Sequence, residues 1–148
     1  MTAYGPSKKT TGDVVNVIED HMHSTSCLYP KLAAPVELTC GDAAPYTPGV
    51  IVEIVPASTI TEPFDIHWAH VSGLSANGDY VISLYAGAVA SEVEIACFPA
   101  VRTAVQSQAG SAAVMTAIIP ANTRISASVA SSSGDADTVN LKIQYHKY

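Results

Sequence analysis

Charge is what this 148-residue sequence has least of: Asp, Glu, Lys and Arg together make up 14%, against about 25% in a typical soluble domain. Arg102 and Arg124 are its only arginines, and no two basic residues adjoin except Lys8 and Lys9. Phosphate neutralisation by clustered Lys and Arg drives nucleic-acid binding, and a chain of net charge −6 without such clusters excludes nucleic acid as a partner. No apolar run approaches the roughly 20 residues that span a bilayer, so no membrane is expected. Met1–Thr11 is polar, so no secretory signal is expected. Cysteine is scarce too: Cys27, Cys40 and Cys97 are odd in number and lack a CxxC pair. Reduced thiols are the plain reading, with one disulfide and one free thiol the alternative.

The chain is rich in small and neutral polar residues, with 22 alanines, 15 serines and 12 threonines, and 48% of it is apolar. That fits a folded domain with a surface suited either to solvent or to cover by another protein. Residues 1–26 read as a separate N-terminal unit. Met1–Thr11 has no periodicity and reads as an extended arm. Gly12–Ser26 reads as a short helix, with Asp13 as N-cap and Val14, Val17, Ile18 and His21 on one face; a strand through Val15 and Val17 is the alternative.

Residues 27–148 form the second unit, and from Pro35 its pattern has period two. Alternation and turn residues predict eight strands, at 35–40, 50–55, 64–73, 80–86, 92–98, 114–119, 123–130 and 138–146. Asn77-Gly78 between two apolar segments predicts a type I′ hairpin. Pro99 ends the fifth strand, Val101–Ala113 is a connection with a ragged strand at Val101–Val105 as the alternative, and Phe64 and Trp68 fill the core. No helical spacers separate the strands, so the fold class is all-β: an antiparallel, jelly-roll-like β-sandwich of about eight strands. A partly open barrel or an immunoglobulin-like sandwich is second.

The catalytic patterns are missing. There is no G-x-S-x-G elbow, phosphate loop or dinucleotide fingerprint. Asp20-His21-x-His23 is the nearest thing to a metal motif, but it lacks an evident third ligand and reads as a polar helix end. His67 and His70, three apart on a strand, face opposite ways and cannot chelate together, so at least one reads as a packed or hydrogen-bonded sheet histidine. Cys27 has only His23 nearby, a weak pairing. Glu92 and Glu94 share a strand face but suit a charged exposed strand better than glycosidase chemistry. Asp135 and Asp137 lack the distal glutamate of a calcium loop. The expectation is therefore no catalytic residue, no metal and no cofactor. Arg102 and Arg124 remain as candidate oligomer-interface residues, with an intramolecular pair to Glu92, Glu94 or Asp65 as the alternative.

Several blocks carry a resemblance. They are Val52-Glu53-Ile54-Val55-Pro56 through Pro63-Phe64-Asp65-Ile66-His67-Trp68, Leu84-Tyr85-Ala86-Gly87, Ile119-Pro120-Ala121-Asn122-Thr123-Arg124-Ile125-Ser126-Ala127 through Ser132-Ser133-Gly134, and Tyr145-His146-Lys147-Tyr148. This pattern, over residues 50–148, resembles small structural proteins of tailed bacteriophages, and implies a capsid cement (decoration) protein. The resemblance implies a trimer on the virion surface, assembled in the host cytoplasm, with the major capsid protein as partner. No functional residues carry over from it. Lys8 and Lys9, on an arm without a core-forming pattern, are the candidate capsid-binding residues. A homo-oligomer also fits the low charge and the outward Ser and Thr of strands 123–130 and 138–146. The alternative is a tail or fibre component that binds a host receptor or glycan, with exposed aromatics and a pocket from loops such as Asp42–Thr47.

Overall fold

Period-two alternation becomes a two-sheet antiparallel sandwich in the computed structural model, which describes residues 26–105 and 110–148. Its strands are β1 (Ser26–Tyr29), β2 (Val36–Thr39), β3 (Val52–Val55), β4 (Phe64–Ser72), β5 (Gly78–Ala86), β6 (Val93–Arg102), β7 (Gly110–Ala113), β8 (Ile125–Ser131) and β9 (Thr138–Lys147). The arm and the 12–26 helix lie outside the described residues apart from Ser26, which opens β1. One sheet runs β1-β9-β4-β7, with β2 also on β9; the other runs β3-β8-β5-β6. β1 and β2 take consecutive stretches of one β9 edge: Ser26–Tyr29 against Ile143–His146, and Val36–Thr39 against Thr138–Leu141.

The core lies between the sheets, where alternate residues of every long strand point. Leu38, Phe64, Ile66, Ile82, Leu84, Ile125, Leu141 and Ile143 are fully buried there. β9 keeps the expected alternation along its length, with Val139, Leu141, Ile143 and Tyr145 inward. β8 does not, because all seven of its residues are buried. Its middle position between β3 and β5 is one reason. The other is the 41–49 loop, whose Tyr46 and Gly49 amides donate to Ser131 and Val129 and extend the sheet past β3. Ser126 and Ser128, expected to face outward as a polar oligomer surface, are enclosed as well, with Arg124 against Ser126 and Tyr85 against Ser128.

Three local expectations are corrected. Asn77-Gly78 closes no hairpin, since β4 and β5 belong to different sheets. The turn crosses between them, and of the pair Gly78 alone takes a positive φ, of 150°, with Gly73 at 60° opening the crossing. β6 runs through Pro99 to Arg102, because an edge strand tolerates a residue without an N–H. The strand expected at 114–119 lies earlier, at Gly110–Ala113; beyond it Met115 adopts a φ of 53° and breaks the regular ladder. The segment still follows β4 through Val114 N–H to His67, Thr116 N–H to Ile66, and a mutual pair between Phe64 and Ile119.

The fourth correction positions the candidate site. β4 pairs with β9 as Phe64↔Lys147, Asp65↔His146 and Ile66↔Tyr145, then resumes at Trp68↔Gln144. His67 is the extra residue of a bulge, and a bulge reverses which alternate residues face inward. Phe64 and Ile66 point into the core before it, Ala69 and Val71 after it. Phe64 meets the expectation, with its ring edge-on to Tyr145 at 5.8 Å. Trp68, expected beside it, is 41% exposed instead.

Candidate functional site

The bulge turns His67 toward Asp65 on the outer face of the first sheet, where His146 of β9 is Asp65's register partner. His67 Nε2 lies 3.0 Å from Asp65 Oδ2, and His146 Nδ1 lies 4.0 Å from Asp65 Oδ1. The two imidazole centroids are 3.9 Å apart at 60°. Tyr148 completes the group: its hydroxyl donates to Asp65 Oδ2 at 2.6 Å, and its amide donates to Pro63. Asp65 is thereby buried on what is nominally the outside of the sheet, its side chain 10% exposed. Both of its hydrogen bonds go to Oδ2, and the buried Oδ1 accepts none. The bond to Asp65, helped by burial, holds the Tyr148 phenol above its ordinary value. Asp65, His67 and His146 each offer a donor atom within 4.8 Å of the others, which is the ligand chemistry of a divalent transition metal.

No short-range spacing contains this set. Asp65 and His67 are adjacent on a strand face, but His146 joins them only through β4–β9 pairing. His70, expected on the opposite face from His67, shares its outer face, because the bulge shifts the alternation by one residue; it sits further along the same sheet. It bonds Ser111 at 2.6 Å and Gln144 at 3.1 Å, and Gln144 reaches Ser26 at 2.5 Å. His70 is thus the hydrogen-bonded sheet histidine that the sequence suggested, tying β7, β4, β9 and β1 together.

The other candidates separate. Lys8, Lys9, Asp20, His21 and His23 lie outside the described residues. Arg124 is used inside the chain: Nε donates to Glu53 at 2.8 Å and Nη1 to Glu92 at 2.9 Å, its side chain only 12% exposed. Arg102 donates to the Leu74 carbonyl. Arg124 thus makes the pair with Glu92 named as the alternative to an interface, whereas Arg102 bonds a backbone carbonyl and none of the carboxylates named for it. Glu92, held by Arg124, is a structural partner. Its carboxyl lies below the usual range, first through its own backbone N–H and then through Arg124. Asp137 accepts from Ser133 at 2.5 Å and Ser75 at 3.3 Å, tying down the 131–137 turn. Among the described residues, Cys27, Cys40 and Cys97 form no disulfide; burial pushes the Cys40 thiol up and away from reactivity.

Of the clefts on the sandwich, two are the more spacious. One, of about 550 Å³, lies against the 41–49 loop and is lined by Asp42, Ala43, Thr47, Pro48 and Val50 without an aromatic ring. The other, of about 410 Å³, lies between Ala86 and Ile95 on one side and Ala117, Ile118 and Pro120 on the other. On the two segments that form it, Val93 is 66% and Ile118 61% exposed. Among the described residues no helix is long and apolar enough to cross a membrane. No family model, curated protein or solved structure matches the chain.

Proposed function

We propose that this chain is a structural protein of a virion, a capsid cement (decoration) protein that binds and stabilises the capsid lattice as a homotrimer and catalyses nothing. The observation that carries this reading is the open apolar margin at the cleft between Ile95 of β6 and Ala117, Ile118 and Pro120. Val93, Met115 and Ile118 are each more than 60% exposed, in a chain only 14% charged. An open apolar cleft, with exposed apolar side chains on both segments that form it, favours cover by another protein surface. The adjoining β6 is a ten-residue sheet edge, which covering by a partner would also protect. With both arginines engaged inside the chain, this margin replaces them as the proposed contact between copies.

The strand orders β2-β9-β4-β7 and β3-β8-β5-β6 support reading the sandwich as an eight-stranded jelly roll with β1 added, an architecture common in capsid and lectin domains. Lys8 and Lys9 remain the proposed contacts to the major capsid protein. A density map of the virion tests the reading: it should place the protein on the capsid surface at subunit contacts.

Recognition of a host glycan by a tail or fibre is the second reading. Tyr46 is 50% exposed beside the cleft of the 41–49 loop. That cleft has no aromatic wall against which a sugar ring would stack, and the neighbouring one that Tyr46 and Tyr85 line is only about 230 Å³, below the roughly 300–1,000 Å³ of ligand pockets; this weighs for the capsid reading.

A further inference from the structure

We infer that Asp65, His67 and His146 form a binding site for a single divalent transition-metal ion, with zinc the best match. The argument begins with the carboxylate. Asp65 is buried, and both of its hydrogen bonds converge on Oδ2, one from the Tyr148 hydroxyl at 2.6 Å and one from His67 at 3.0 Å. Oδ1 is enclosed without a hydrogen bond, on the side of His146 Nδ1. A buried carboxylate oxygen in that state carries a desolvation cost that a cation would offset.

The surroundings suit such an ion. Two imidazoles and one carboxylate are a common three-ligand set for zinc, which leaves a fourth position for water or another group. Donors around a tetrahedral ion at about 2.0–2.1 Å are about 3.3–3.4 Å apart. The three donor atoms lie within 4.8 Å of one another, so side-chain rotation of an ångström or so closes the site without moving either strand. Tyr148 supports it from behind. By holding Oδ2 it aims Oδ1 inward, the role that hydrogen-bonded partners of ligating carboxylates perform. The site would pin the β4 bulge to the end of β9. A metal held there is independent of whether the chain decorates a capsid.

The test is equilibrium dialysis of the purified full chain, stripped with chelator, against zinc, followed by elemental analysis. The wild type should hold one equivalent of zinc, melt at a higher temperature with it, and show shifted ring signals of His67 and His146 but not His70 by NMR. His67→Ala with His146→Ala should abolish the binding, Asp65→Asn should weaken it at least about 100-fold, and Tyr148→Phe should weaken it about 10-fold. His70→Ala and His21→Ala with His23→Ala should bind as the wild type does. A wild-type chain that holds no zinc overturns the site. So does binding that survives in the His67/His146 variant, or that disappears only with His21 and His23. Should a variant fail to fold, the wild-type ring shifts decide alone: zinc that leaves His67 and His146 unmoved contradicts the assignment.

Discussion

Tyr80 illustrates how one side chain can hold a crossing between sheets. Its ring is buried in the core, while its hydroxyl donates to the Ala76 carbonyl at 2.8 Å and accepts from the Ala76 amide at 3.2 Å. Tyr80→Phe removes both bonds and should cost about 1–3 kcal/mol, measured by urea unfolding. Burial raises the phenols of Tyr80 and Tyr145, the latter to about 12 from 10.0, with Cys27 adding to the Tyr145 shift. A folded-state value above the unfolded one means stability that is whole below pH 10 and is lost as pH rises toward 12. The urea midpoint should therefore fall over that interval, and less steeply in Tyr145→Phe. Glu92 has the opposite sign. Its lowered carboxyl contributes above the ordinary carboxylate value and loses that contribution as pH falls through its folded value, so Glu92→Gln should flatten the acid limb of the same curve. At this scale the candidate site was only partly legible. Asp65 and His67 advertise a shared strand face, but His146 reads as one polar residue in the alternation of the last strand. Only pairing of β4 with β9 makes it a neighbour, and neither sequence spacing nor composition encodes that register.

Elements were far more legible than their partners. β9 could be read almost residue by residue because one of its faces is core and the other is not. β8 could not, since side chains from elsewhere, Tyr85 and Arg124 among them, hide its second face without changing its sequence. A bulge is equally silent: nothing in Ile66-His67-Trp68 announces the phase change that exposes Trp68. Asn-Gly misled because its local turn chemistry is the same whether the chain turns back within a sheet or passes to the other. Glycines report such tertiary constraints after the fact. A Cβ on Gly49 would stand 1.7 Å from the Thr39 carbonyl oxygen, whereas one on Gly110 would meet nothing within 4 Å. Gly49→Ala should thus destabilise by about 1–3 kcal/mol or more, and Gly110→Ala by no more than about 0.5 kcal/mol. Thermal melts of the two variants against the wild type measure the contrast. Equal melting temperatures would mean that the 41–49 loop does not pack along β2 and β8 as described.

For the whole molecule, the sandwich supplies stability, and the proposed attachments lie at its margin and on the N-terminal arm. A homotrimer should weigh three times the 15.4 kDa chain by light scattering. Val93→Glu with Ile118→Glu should shift it toward monomer without lowering the melting temperature by more than a few degrees, since both side chains are already largely exposed. Lys8→Ala with Lys9→Ala should leave the trimer intact yet weaken capsid attachment, and attachment by the wild type should fall with rising salt if these charges contribute. The claim on which the proposed function depends is that the chain binds a capsid lattice. Cosedimentation of the purified protein with capsids lacking it measures this directly. The account predicts saturable binding at a fixed number of trimers per capsid, reduced in the lysine variant. Protein that stays in the supernatant at every concentration and at low salt would contradict it.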